Sequence, residues 1–376
     1  MYCKNIITVQ YTLIIVILSA KYRKRKYFLM KTNDIDNLLR LLMEEINKNE
    51  IHPLHKFCSY KYYTDFLFMV KTLFEHEYFN TQKKIKSFFN RMQFNSSFDE
   101  MKYYQWISEL LLIYFALDHK LTFSTDKKLL PNSNKDIDLQ IIEGDFHYNI
   151  EIKCPAFDAC NSPEILKVNI PFRTEMDKDL FEEEKSMLIK HFIQPAIDNS
   201  NGEFKDYKFK KITDEKLKDF LKSGQSKFSE SNNTSINILV IAVPIENFED
   251  YWSYLYNSSS GLFVKEDNGI CHPLEYDKVD VVYLTSLVTG HKEPKDTYNS
   301  WKLVSYCNLL CRNPFSRKYQ NGYYKGYERV LELLPNSMNT FENFYSDGSH
   351  YADTVSAPAQ GLMFSSYFNK YYPHLW

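Results

Sequence analysis

Residues 135–155 read KDIDLQIIEGDFHYNIEIKCP, two runs of strand-like alternation that meet at Gly144-Asp145. A two-residue loop opening on glycine is a hairpin turn. It sets Asp138 opposite Glu151 and Asp136 opposite Lys153. Directly opposed residues share a sheet face, and so do residues two apart on one strand. The four charged side chains therefore point one way, while Ile137, Leu139, Ile150 and Ile152 point the other and bury that face. Opposed carboxylates repel unless a cation or a shared proton intervenes. The repulsion is the functional signal in this stretch.

Composition frames that signal. The chain has 376 residues, 44% hydrophobic, enough for a substantial core in one large decorated domain or two domains. A formal net charge of −2 confines any nucleic-acid surface to a local patch on a near-neutral body. Seven scattered cysteines without paired metal spacing read as reduced thiols, giving a cytoplasmic expectation. The apolar run IITVQYTLIIVILSA, residues 6–20, is short for a bilayer span, and KYRKRK follows it, the reverse of a signal peptide. Residues 1–29 are thus either a start-site artefact or a weak anchor, with Asn33 or Asp34 as a helix cap after Met30. A membrane partner is not expected.

Periodicity predicts a helical N-terminal region over 30–98, with helices near 34–48, 61–79 and 80–92 and a break at Pro53. Another helix follows near 99–118. Residues 158–212 read as inserted helices interrupted at Pro195. Residues 213–229 place Leu217, Phe220, Leu221 and Phe228 on one helical face. The continuous apolar runs INILVIAVP (236–244) and VDVVYLTSL (279–287) mark strands covered on both faces, and KLVSYCNLL (302–310) is a third candidate. Strands separated by helices behind a hairpin predict an α/β fold with a mixed central sheet flanked by helices. Residues 316–376 form a C-terminal extension.

Two carboxylates on neighbouring strands, with a main-chain carbonyl such as that of Ile152, make a hard oxygen site suited to Mg²⁺ or Mn²⁺. A lysine two residues beyond the glutamate could position the attacking water or stabilise charge developing on phosphorus. These residue types fit metal-assisted phosphodiester hydrolysis. The plain alternative is a solvated strand with a cross-strand ion pair.

Asp138, twelve residues, then Glu151-Ile152-Lys153 resembles the signature of the PD-(D/E)XK nuclease superfamily. The order of elements over roughly 100–315 does too: a helix bearing Glu109, the acidic hairpin, a helix bearing Lys222 and Gln225, then INILVIAVP. The resemblance implies a restriction-endonuclease-like core over 99–315, with an insertion near 158–212. It implies Asp138 and Glu151 as metal ligands, Lys153 as the assistant to the attacking water, and Glu109 and Gln225 as further catalytic residues. Asp136 and Asp138 compete for the first ligand position. The expected activity is that of a divalent-metal-dependent nuclease acting on nucleic acid, DNA rather than RNA. The alternative is a non-catalytic nucleic-acid-binding or structural subunit that keeps the nuclease-like fold.

Two stretches concentrate basic residues. Lys83, Lys84, Lys86 and Arg91 form a helical stripe read as a solvated face. Arg312, Arg317, Lys318, Lys325 and Arg329, interleaved with Tyr319, Tyr323, Tyr324 and Tyr327, suit either a phosphate-binding surface or a folded aromatic cap.

Overall fold

The computed structural model describes residues 35–94, 98–155, 165–168, 178–200, 202–209, 213–256, 261–264, 266, 271–337, 367, 370–372 and 374. The N-terminal run at 6–20 and the cap at Asn33 or Asp34 lie outside them. No helix among the described residues is long and apolar enough to cross a membrane.

The chain opens with α1 (Ile35–Ile46), α2 (Pro53–Lys56), α3 (Lys61–Glu75), α4 (Gln82–Arg91) and α5 (Glu100–Asp118). Pro53 does not merely interrupt. It occupies the first turn of α2, where its missing N–H costs nothing, and His52 caps that turn by accepting from Leu54 N–H at 3.1 Å. Asp99 caps α5, accepting from Lys102 N–H. The nearly continuous burial of α5, from Tyr103 to Leu117 apart from Gln105, explains its even hydrophobicity: it runs through the middle of the protein.

The strands β1 (Thr122–Lys127), β2 (Ile137–Glu143) and β3 (Phe146–Lys153) follow. Next come β4 (Ile165–Val168), α6 (Lys178–Leu188), α7 (Gln194–Asp198), β5 (Asp206–Phe209), α8 (Thr213–Lys227) and β6 (Ser235–Ala242). Then come α9 (Phe248–Tyr256), β7 (Val281–Thr285), α10 (Leu287–Lys292), β8 (Asn308–Arg312), α11 (Arg317–Gln320) and α12 (Lys325–Leu333). Six strands form one mixed sheet in the order β1-β2-β3-β6-β7-β8. The pairs β3–β6 and β6–β7 are parallel, so each needs a helical crossover, and the crossovers contain α8 and α9. The outer pairs are antiparallel. This is an α/β fold with a mixed sheet flanked by helices, as the alternation of elements predicted. One contiguous apolar core joins the sheet to the N-terminal helices.

Three local expectations need correction. The strand placed at 302–310 begins later, at Asn308, because Leu303–Ser305 form a 3₁₀ turn, and the Asn308 side-chain amide claims the carbonyls of Leu303 in the turn and Tyr306 after it. In the insertion, Pro195 ends nothing; it sits in the first turn of α7, after a π-helical turn at Ile189–Ile193. The insertion also contributes β4 and β5, a separate parallel pair.

Candidate active site

The hairpin forms in the expected register, with Glu143 opposite Phe146 and Leu139 opposite Ile150. Gly144 at φ +62° supplies the left-handed residue of its two-residue turn. Pairs in such a ladder alternate between bonded and non-bonded, so Ile152 N–H would next meet the main chain of β2. The Asp138 carboxylate takes it instead, accepting at 2.7 Å through Oδ2. The aspartate thus caps the end of the ladder beside Glu151. The Lys153 Nζ turns back to Glu151 Oε1 at 2.7 Å. The lysine thus serves the fully buried carboxylate two residues back on its own strand, where an unpaired charge costs most.

Glu151 is 0% exposed. A second cation, Lys227 Nζ from the end of α8, lies 2.6 Å from the same Oε1. Neither lysine has the alignment of a well-formed hydrogen bond to that oxygen, but at such separations the attraction between full charges survives poor angles. Oε2 is buried with no hydrogen-bond partner. Burial lowers the Lys227 ammonium, yet its close contact with Glu151 and the charges of Glu151, Asp138 and Asp136 raise it above the ordinary lysine value. Burial, then the charges of Glu151 and Glu109, push Asp138 up to about 7. Asp138 thus feels two other carboxylates, Glu151 and Glu109.

Glu109 enters from α5. Burial raises its carboxyl, opposed by Arg91, with which it forms an ion pair, and by Gln105, whose amide donates to Oε1 at 3.1 Å. Arg91 is pinned in turn over the Trp106 ring, 3.9 Å from its centroid. Gln105 also donates to Ile152 O at 3.1 Å and accepts from Cys154 N–H at 2.9 Å. It fastens the end of β3 to α5 and uses one lone pair of the carbonyl expected to be a ligand.

Gln225 is not brought to the acids. Its amide donates to Asp277 Oδ1 at 2.6 Å and Leu274 O at 3.2 Å, and accepts from Lys278 N–H at 2.8 Å. It anchors the loop before β7. Lys222, on the same helix, pairs with Glu275 at 2.5 Å. The helix does contribute to the acids, but through Lys227. The buried positions Leu217, Leu221, Gly224 and Phe228 set the inward face of α8, and Lys227 borders it, which is the signal available in the sequence. Gln105 had a similar signal, four residues before Glu109 on one helical face.

No group of three or more His, Cys, Asp or Glu side chains close enough to hold a metal ion is found among the described residues. The donor chemistry nevertheless suits a hard divalent cation. Glu151 Oε2 is a buried carboxylate oxygen without a partner, and Asp138 is held near it against mutual repulsion. Asp138, Glu151 and the second lone pair of Ile152 O are the atoms that would hold such an ion.

The basic C-terminal stretch is a folded cap. Lys318 is 1% exposed and donates to Ser235 O at 2.8 Å and to Asn232 O. Arg317 is bound by Asp277 and Glu230, Arg312 lies over Tyr319 and Tyr327, and Arg329 over Phe146. Compared with known proteins, the chain matches no family model, no curated protein and no solved structure.

Proposed function

We propose that this protein is a divalent-metal-dependent nuclease that hydrolyses phosphodiester bonds in DNA, on a core of the restriction-endonuclease type. The observation that carries the reading is Glu151: a fully buried carboxylate at the end of a central strand, flanked by Asp138 and by two lysines, with one oxygen unpartnered. Burying such a charge costs far more than a surface ion pair returns, so a site of this kind is kept for chemistry rather than stability. A bound Mg²⁺ would polarise phosphate oxygen and lower the pKa of water. Lys153, partly exposed, can orient that water or meet charge on phosphorus. Lys227, less exposed, holds Glu151 in place.

One observation favours the non-catalytic reading. Two lysines on a single carboxylate already balance its charge without a metal. Incubation of linear and supercoiled DNA with the protein, with and without Mg²⁺ or Mn²⁺, separates the two. The nuclease reading expects metal-dependent cleavage that Glu151→Gln lowers at least about a hundredfold, in line with loss of a charge-stabilising group. Metal-independent cleavage, or equal activity in the variant, sinks it.

A further inference from the structure

Helix α4 carries QKKIKSFFNR and contains four cations and no acid. This sets it apart from α1, α3 and α6, where cations pair with carboxylates one turn away, as in Arg40–Glu44, Lys71–Glu75 and Lys185–Glu182. Lys83, Lys84 and Lys86 are exposed, and no ion pair involves them among the described residues. Ile85 and Phe88 turn into the core and hold the opposite side of the helix.

The helix leads to the acids. Lys84 and Arg91 are seven residues apart, so they lie on one flank, about 10 Å along the axis. At the far end Arg91 is paired with Glu109 and stacked on Trp106. At the near end Lys84 lies over the Tyr78 ring at 5.4 Å, and Tyr78 feels the charges of Arg91, Glu109 and Asp126. Lys84 and Arg91 therefore form a cationic flank that runs from solvent to Glu109, whose charge reaches Asp138, while Lys83 and Lys86 point outward from the helix. Three exposed, unpaired ammonium groups on a helix whose last cation meets an acidic centre fit a polyanion whose charges are spaced along a chain.

We propose that the outward face of α4 binds the phosphate backbone of duplex DNA and delivers it to the Asp138–Glu151 site. This deepens the nuclease reading and rests on it for where the scissile phosphate would lie. The partner is duplex DNA, engaged by charge rather than by base edges, so binding is insensitive to sequence and steep in salt.

The test is fluorescence anisotropy of a fluorescein-labelled DNA duplex of random sequence, in EDTA so that no hydrolysis is needed. Salt is varied between about 50 and 200 mM. The triple variant Lys83→Gln, Lys84→Gln, Lys86→Gln should weaken binding and lower the slope of log K against log salt by up to about 2.7, three contacts at about 0.9 each. Lys83→Glu with Lys86→Glu should weaken it further, and both variants should melt as the wild type does. An unchanged slope, no binding by the wild type, or equal competition by poly-L-glutamate overturns the proposal. Failure of the two readings is separable. Cleavage with an unchanged slope keeps the nuclease and removes this surface; a lowered slope with no cleavage in Mg²⁺ or Mn²⁺ keeps the surface and removes the nuclease.

Discussion

The energetics of the candidate site turn on Glu151. A carboxylate with no solvent contact is tolerated because Lys153 and Lys227 both reach Oε1, so either lysine alone leaves it compensated. Removing both leaves an isolated buried charge. Lys153→Met and Lys227→Met should therefore each lower stability by about 1 kcal/mol, while the double variant loses about 3–5 kcal/mol, more than the sum. Urea unfolding in EDTA measures this, and simple additivity would show that the lysines do not share the carboxylate. Activity should divide differently. Lys153→Ala removes no ligand, so DNA binding should persist while the rate of cleavage falls, as expected for a group used in the transition state. Wild-type cleavage in Lys153→Ala would take this residue out of the mechanism.

At the scale of elements, the acid site sits on a row-by-row order in the sheet. One row along the same face from Asp138 and Glu151, Lys127 donates to Gln140 at 2.5 Å, Gln140 to Asn149 at 2.7 Å, and Asn149 to Asn237 at 2.9 Å. Asn237 closes the row on Ser229 O and Lys278 O, and its N–H donates to Asp280. A one-residue slip of any strand would leave buried amides without partners, so the row locks the register that sets Glu151 beside Asp138. Asn149→Ala should cost about 2–4 kcal/mol, since Gln140 and Asn237 each lose a buried partner. A change under about 0.5 kcal/mol in urea unfolding would mean that the row does not hold the register. Such a row explains what was legible and what was not. Alternation and a Gly-Asp turn are local, so the hairpin, its register and the shared face of Asp138 and Glu151 could be read directly. The buried runs at β6 and β7 were equally plain. Lys227, Gln105 and the turn of Gln225 toward Asp277 depend on how helices distant in sequence dock. Strand β1, TFSTDK, is a polar edge with little burial to betray it.

For the molecule as a whole, opposing titrations meet between about pH 4 and 7. Burial lowers His52 from 6.5 to about 4 and His291 from 6.5 to about 3. His52 is fixed as a neutral ring, donating from Nε2 to Met92 O and accepting at Nδ1 from Leu54 N–H, and it joins the α1–α2 region to the end of α4. A base whose folded pKa is lowered takes up its proton first in the unfolded chain, so stability falls as pH drops below about 6.5 toward the folded value. Asp138 is raised from 3.8 to about 7 and Asp280 from 3.8 to about 6, both chiefly by burial. An acid whose folded pKa is raised takes up its proton first in the folded chain. Its contribution therefore grows as pH drops through about 7 toward 3.8. The two sets oppose each other, so single substitutions should expose slopes that the wild type hides. Asp138→Asn cannot ionise. In EDTA it should stabilise the protein near pH 8 and lose that advantage by about pH 4, a swing of up to about 4 kcal/mol at 1.36 kcal/mol per unit. His52→Gln cannot charge, and its deficit near pH 7 should shrink by up to about 3 kcal/mol on the way to pH 4. Urea midpoints across this range for the wild type and both variants decide the matter. Parallel curves for all three would show that neither group changes its proton affinity on folding, and would remove the electrostatic coupling of Asp138 to Glu151 from the account of the site.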